Sequence, residues 1–262
     1  MPRFYVPPEN INQAEDNRHW ALIKGQEFNH LSRVLRLQSG EEVTLFDGMG
    51  WEYIGIITAL PKDEALISIR EAHFLPRESS LEVWLVQGIP KGEKMELIIQ
   101  KATELGVRGI IPLKAQRCVV KLEGKKEEER RKRWQKVALE AVKQCHRALI
   151  PTVLPSRSMK EFLQGLPSSR HLLLPWEEGG TPFKEALEKV VGRKDSPGTG
   201  GMMDKTPVYL VIGPEGGFAP EEVRQVQCCG GVTVSLGPRI LRTETAGLAA
   251  LSALMFAWGD WI

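Results

Sequence analysis

Between Glu42 and Ile69 the chain runs in short apolar stretches, VTLFD, WEYIGIIT and ALISIR, separated by the turn formers Gly48-Met49-Gly50 and Pro61-Lys62-Asp63. This pattern predicts short strands in a small antiparallel barrel occupying residues 1–72. The polar, proline-bearing stretch HFLPRESS, at 73–80, reads as a linker, and the pattern changes after it. LEVWLVQG reads as a buried strand, and Lys91 to Leu105 places Met95, Ile98, Ile99, Ala102 and Leu105 on one helical face. Strand and helix then alternate: VRGIIPL, a charged helix near Glu127 to His146, PTVLP, MKEFLQGL, HLLLP, FKEALEKVV, PVYLVIG, PEEVRQVQCC, VTVSLG and a last helix through Met255. That order predicts an α/β domain over 81–262, with a mostly parallel sheet covered by helices. The whole chain is thus α/β, or α+β when both parts are counted.

Two segments stand outside this alternation. GRKDSPGTGGMMDKT, Gly192 to Thr206, is poor in apolar residues and rich in turn formers, so it is expected to be a mobile loop. KKEEERRKR, Lys125 to Arg133, reads as a solvated helix start with favourable charge pairs, with RNA contact as the alternative.

Composition narrows the field only slightly. A chain of 262 residues, 42% apolar and 26% charged, has material for two globular domains. A net charge of +2 is too small to indicate nucleic acid, so local clusters must carry that case. One lies at the front of the expected barrel, where Arg3, Lys24, His30, Arg33 and Arg36 interleave with Phe4, Tyr5 and Phe28. RNA-binding surfaces mix these residue types, and a solvated face over core aromatics does so too. Cys118, Cys145, Cys228 and Cys229 have no CxxC spacing and no histidines placed to complete a zinc set, so no metal is expected. Neither a signal peptide nor a spanning helix can be read, which fits a cytoplasmic protein.

The candidate chemistry lies in two glycine- and proline-bearing loops. GPEGGF, Gly213 to Phe218, follows a strand and precedes a helix, and so lies at the carboxyl end of the sheet, where open α/β sheets bind ligands. It is neither a P-loop nor a dinucleotide fingerprint, and alone it would read as a plain turn. One strand later LGPRILRTETA, Leu236 to Ala246, packs Arg239, Arg242, Thr243, Glu244 and Thr245 together before an apolar helix. Thr243 or Thr245 would also serve as a helix cap. Two such loops on neighbouring strands are placed to share one ligand.

With these loops the chain resembles the bacterial 16S ribosomal RNA uracil-N3 methyltransferases of the trefoil-knotted, S-adenosylmethionine-dependent (SPOUT) superfamily. The resemblance covers nearly the whole chain: RFYV at Arg3, HLSRVLR at His30, LFDGMG at Leu45, KGEKMELIIQKATELGV at Lys91, the segment ending QCHR at Arg147, GPEGGF and LGPRILRTETA. It implies a PUA-like barrel that helps hold RNA and a C-terminal α/β domain with a deep knot. The implied reaction is methylation of N3 of a uridine in 16S rRNA, in the decoding region of helix 44 of the small subunit, giving 3-methyluridine and S-adenosylhomocysteine. A homodimer acting on the assembled small subunit, with no membrane or metal, is implied as well.

Carried over motif by motif, three loops would surround the donor: Leu174-Pro175, then Ile212, Gly213, Pro214, Glu215, Gly216 and Gly217, then Leu236, Gly237, Ile240, Leu241, Thr245 and Ala246. Leu236, Ile240 and Leu241 would line the adenine pocket. Beside the barrel cluster, Lys91, Lys101 and Arg117 are candidate RNA contacts.

N3 of uracil must lose its proton. That imide ionises about two units above neutral pH, so forming the anion costs on the order of 3 kcal/mol unless the site helps. A cation near the uracil oxygens or a carboxylate near N3 supplies such help. Arg242 or Arg147 is the expected cation, and Glu244 or Glu215 the expected proton acceptor, though each glutamate has an equally good structural role at a strand-to-helix junction. Glu104 and Lys101 would build the RNA side or brace their helix. One position departs from the family pattern: Lys143 stands where a glutamate usually precedes the glutamine, here Gln144. The competing functions are a 2′-O-ribose methyltransferase on the same fold and a non-catalytic RNA-binding module.

Overall fold

A computed structural model describes residues 1–13, 19–74, 78–120, 123–190 and 206–261. Gly192 to Arg193 and most of the rest of the expected loop up to Thr206 lie outside the described residues. Contacts divide the chain into two units, one of 1–78 with 142–150 and one of 79–141 with 151–262.

The first unit contains β1 (Arg3–Tyr5), β2 (Ile11–Gln13), β3 (His19–Lys24), α1 (Gly25–Asn29) continuing into a π-helical turn over His30–Val34, β4 (Glu42–Phe46), β5 (Trp51–Ala59) and β6 (Glu64–Phe74). Its sheet runs β1-β4-β5-β6-β3-β2. Every neighbouring pair is antiparallel except β1 with β4. The two register shifts between β5 and β6, at Ile54/Gly55 and Ile57/Ala59, are where the ladder bends the sheet around its core. That core holds Phe4, Ala21, Ile23, Val43, Leu45, Ile57, Ala65 and Ile67, with Ala21 and Ile23 on β3 and Ala65 and Ile67 on β6 at the inward positions of a period-two pattern.

Against the expected limits of 1–72 and a linker at 73–80, β6 continues through Phe74 and 142–150 joins the first unit. Long-range bonds account for this. Arg3 donates to the carbonyls of Val142 (3.4 Å) and Arg147 (2.7 Å), Gly50 N–H donates to Ala148 O (3.1 Å), and Ile150 N–H donates to Gly48 O (3.0 Å). The Arg147 guanidinium is held by Glu78, Nη2 to Oε2 at 2.6 Å, and Lys143 pairs with Glu27.

The second unit contains β7 (Val83–Gly88), α2 (Lys94–Glu104), β8 (Gly109–Lys114), α3 (Gly124–Cys145), whose last residues group with the first unit, β9 (Thr152–Val153), β10 (Arg157–Ser158), α4 (Met159–Gln164), β11 (His171–Pro175), β12 (Thr181–Pro182), α5 (Phe183–Val190), β13 (Val208–Ile212), α6 (Pro220–Cys228), β14 (Val232–Ser235) and α7 (Thr243–Trp258). The sheet order is β10-β8-β7-β13-β11-β14-β12, with β9 beside β8, and each of these pairs is parallel.

Strands buried on both faces read as nearly continuous apolar runs, and β7 and β13 do so for that reason. Along β13, Val208, Leu210 and Ile212 enter the core under α2 and α7, while Val211 enters the opposite core under α4 and α6. After β14 the chain comes back across the sheet, and α7 lies on β13, β7 and α2. A knot of the implied kind requires such a return. It also gathers the carboxyl ends of β11, β13 and β14 on one edge, where the candidate loops begin.

Candidate donor site

The loops after β11, β13 and β14 enclose a cavity of about 660 Å³, within the range of small-molecule sites. Pro175, Trp176 and Glu177 line it from the first loop. Ile212, Gly213, Pro214, Glu215, Gly217 and Phe218 line it from the second, and Ser235 to Thr243 with Ala246 from the third. Lys94, at the start of α2, completes the wall.

Local chemistry shapes the second loop. A turn closes from Gly217 N–H to Pro214 O at 2.9 Å, and Gly217 takes φ +65°, a left-handed conformation that glycine adopts freely. The Glu177 carboxylate stands 3.3 Å from where a Cβ on Gly217 would be, so a side chain there would also crowd the first loop. Beyond the turn, the buried Glu222 carboxylate accepts from Gln116 N–H (2.9 Å) and Ala219 N–H (3.0 Å), and Arg117 donates to Gly216 O (3.0 Å). These bonds fasten the loop to the segment after β8.

A buried polar chain joins the loop to the third one. Gln87, fully buried at the end of β7, donates from Nε2 to Thr243 Oγ1 at 2.9 Å, and that hydroxyl donates to Gly213 O at 2.5 Å. Thr243 therefore binds the carbonyl of the other donor loop and makes no side-chain cap for its own helix. Groups buried this way cost free energy if left unpaired, so the chain fixes the relation of the two loops.

Charges gather at the α2 side of the cavity. Lys94 Nζ lies 3.2 Å from Glu215 Oε1 and 3.2 Å from Glu244 Oε2. Glu215 also accepts from the Lys91 N–H, at 3.2 and 3.3 Å to its two oxygens. Burial alone would push the Glu215 carboxyl up, but hydrogen bonds from its own backbone N–H, from Lys94 and from Lys91 outweigh it and hold that carboxyl below the ordinary range. The neighbouring carboxylates of Glu215 and Glu244 keep the Lys94 ammonium above its ordinary value. Glu215 is therefore a carboxylate, and Lys94 a cation, at neutral pH.

Of the expected donor contacts, Pro175, Ile212, Gly213, Pro214, Glu215, Gly217, Leu236, Gly237, Ile240, Leu241 and Ala246 line the cavity. Leu174, Gly216 and Thr245 do not. Leu174 is fully buried in the core under α4 and α6, because its strand turns alternate side chains to opposite faces. Gly216 faces Arg117, and Thr245 is exposed on the first turn of α7.

Arg242 lines the cavity with an exposed side chain, whereas Arg147 lies in the first unit with its charge matched by Glu78. Glu244 stands behind the wall on Lys94. Lys143 is bound to Glu27 and lies outside the cavity, which makes it a tie between α3 and α1 and not a replacement for a proton acceptor.

The expected RNA contacts also separate. The Arg3 side chain is only 6% exposed, paired with Glu52 at 3.1 Å and stacked 4.0 Å over the Phe46 ring, so it is an internal brace. His30, Arg33 and Arg36 are exposed together on the turn after α1, and Lys24 is half exposed beside Glu64. Lys91 is exposed at the start of the α2 segment, Lys101 pairs with Glu104, and Arg117 is tied to Gly216.

Sequence reasoning missed Lys94, Trp176, Glu177 and Ser235, while Phe218 and Pro238 fall within GPEGGF and LGPRILRTETA, the two motifs it singled out. Glu177 was findable, since it lies two residues past Pro175 at a strand end of the donor edge. Among the described residues no group of three or more His, Cys, Asp or Glu is arranged to hold a metal ion, and no helix is long and apolar enough to cross a membrane.

Comparison with known proteins agrees in both units. An RNA methyltransferase domain family matches residues 77–255, and an RNA methyltransferase PUA domain family matches residues 23–70. Ribosomal RNA small subunit methyltransferase E of Bacillus subtilis is 36% identical over 98% of this chain and 96% of its own length. The protein of the same name from Mycobacterium bovis is 31% identical over 96% and 92%. Two solved structures share the fold along essentially the whole chain. The Neisseria gonorrhoeae methyltransferase E bound to S-adenosyl methionine has a TM-score of 0.84 at 33% identity, covering 100% of each chain. A Legionella pneumophila methyltransferase, described as putative and in complex with the same cofactor, has 0.79 at 33% identity, covering 99% of each.

Proposed function

The chain belongs to the ribosomal RNA small subunit methyltransferase E family, and from that premise we propose that it transfers a methyl group from S-adenosylmethionine to N3 of a uridine in 16S rRNA. The products are 3-methyluridine and S-adenosylhomocysteine. The observation that carries this reading is the cavity closed by three strand-end loops, with Arg242 on its wall.

The residues present fit the donor. Ile240 is 81% exposed at the cavity, an apolar side chain that a flat ring such as adenine would cover, with Leu236 and Leu241 beside it. The carboxylate of Glu177 offers a partner for the donor's cationic end. When bound, the donor supplies an electrophilic methyl group on a positively charged sulfur. The chain's own part is to hold uracil in line with that methyl and to favour its N3 anion. Arg242 and Arg239 both line the cavity with no ion-pair partner among the described residues, and Arg242, whose backbone carbonyl is held by the first turn of α7, performs the second task. In the first unit the exposed His30, Arg33 and Arg36 are the basic side chains offered to RNA, and in the second unit Lys91 is.

A nucleoside digest of small-subunit RNA, treated with the protein and isotopically labelled donor, tests the reaction. Labelled 3-methyluridine is expected, from assembled small subunits in preference to naked RNA. Label found only on ribose 2′-oxygens would move the chain to the other chemistry of the fold, and no label from a donor-binding protein would make it an RNA-binding module. An rRNA substrate makes the cytoplasm its place of work.

The working form is a homodimer. Leu97 on α2 and Phe256 on α7 are 46% and 75% exposed on helices that pack against each other, and Ala249 is exposed on α7 as well. Apolar surface of this kind favours burial against a second copy. Light scattering on the wild-type chain is expected to give a dimer and on Phe256→Glu a monomer. A monomeric wild type at micromolar concentration overturns the assignment.

A further inference from the structure

KGEK, Lys91 to Lys94, has the look of a charged helix start turned to solvent, yet both of its ends are bound at the donor cavity. The Lys91 N–H bonds the Glu215 carboxylate, and Lys94 Nζ lies 3.2 Å from Glu215 and 3.2 Å from Glu244. Glu215 belongs to the loop after β13, and Glu244 to the first turn of α7, which follows the loop after β14. One ammonium thus joins three segments that are far apart in sequence.

Resting on the methyl-transfer reading, we propose that Lys94 is a positioning residue of the donor site: by sharing its ammonium between Glu215 and Glu244 it fixes the second and third donor loops to each other and to the start of α2. Both carboxylates are thereby engaged as anchors of the loops. This differs from a general stabilising role. The Lys94 side chain is 33% exposed, Glu215 31% and Glu244 17%, so the Lys94–Glu215 half of the link is open to water and adds little to global stability. Displacing a loop by about an ångström at a site that works by positioning costs far more in function. Stability and donor affinity therefore respond differently to loss of the link.

Calorimetry with S-adenosylmethionine on the purified full chain tests this, with wild type, Lys94→Met, Lys94→Arg, Glu244→Gln and the Lys94→Met/Glu244→Gln double variant. Lys94→Met is expected to bind the donor about tenfold more weakly while its melting temperature stays near wild type. Its KM for the donor rises by a similar factor with kcat falling much less, Lys94→Arg recovers most of the affinity, and the double variant binds no more weakly than Lys94→Met. Unchanged affinity in Lys94→Met, or fully additive losses in the double variant, overturns the inference alone. A folded wild type that fails to bind the donor overturns the methyl-transfer reading and the inference with it.

Discussion

Replacing Arg242 with alanine is expected to lower methylation turnover by about two to three orders of magnitude, while donor affinity changes by less than about threefold. The guanidinium stands on the cavity wall, at the residue just before α7, with its side chain exposed. Its backbone is held independently: Thr245 and Ala246 N–H both donate to Arg242 O, at 2.9 and 2.8 Å, and Thr243 is anchored to Gly213. Truncating the side chain therefore leaves the loop in place and removes only the charge. An interaction made with the anion, and absent from the neutral ground state, appears in kcat and not in binding. Single-turnover methylation of small subunits beside calorimetric donor affinity reads both quantities. Equal losses in the two would make Arg242 a donor-binding residue and leave the uracil anion to Arg239, the other arginine of the wall. Arg147 is not that alternative, because Glu78 already matches its charge within the first unit.

The fold was largely legible because burial on one or two faces imposes a period on the sequence. VYLVI and VWLVQG became β13 and β7, and the face of α2 counted from Met95 to Ala102 is buried as read. The two glycine-bearing loops were legible for a related reason, since strand order alone puts them at the same edge. Their family resemblance then supplied the ligand that residue types could not.

What stayed illegible depends on partners distant in the chain. Arg3 and Arg147 read as free cations, and their partners Glu52 and Glu78 lie 49 and 69 residues away. Lys143 read as a departure from the family pattern, with a lost proton acceptor and a kept RNA contact as its two alternatives, and its partner Glu27 is 116 residues away. Lys94 read only as a polar position in the helix from Lys91 to Leu105, and nothing local shows that two glutamates from later loops will meet it. Leu174 was named as part of the loop after β11, and strand alternation sends its side chain into the core while Pro175 beside it lines the cavity. In each case the type of residue was read correctly, and its neighbours were supplied by the fold.

Gly88→Ala is expected to weaken donor binding by about a hundredfold, although Gly88 does not line the cavity. Gly88 ends β7, directly behind the second donor loop. A Cβ there would stand 2.6 Å from Pro214 N, 2.6 Å from Pro214 Cδ and 2.9 Å from Gly213 C. Those are backbone and ring atoms that no rotamer change can move, so the loop itself must shift. Gly213 O is also the acceptor for Thr243, so a shift disturbs the buried bonds from Gln87 through Thr243 and carries into the third loop. Overpacking of this kind costs about 1–3 kcal/mol of stability, so the variant remains folded at 25 °C while its donor loops are displaced. Gly230→Ala is the control. Gly230 follows α6 at φ +80° with nothing near its Cβ position, so alanine there costs about 1 kcal/mol through backbone strain and leaves the loops alone. Melting temperatures and calorimetric affinities of the two variants separate the effects: both melt lower, and only Gly88→Ala loses the donor. Wild-type affinity in Gly88→Ala would mean that the loop yields without harm, and that the close contact behind Pro214 does not set the shape of the cavity.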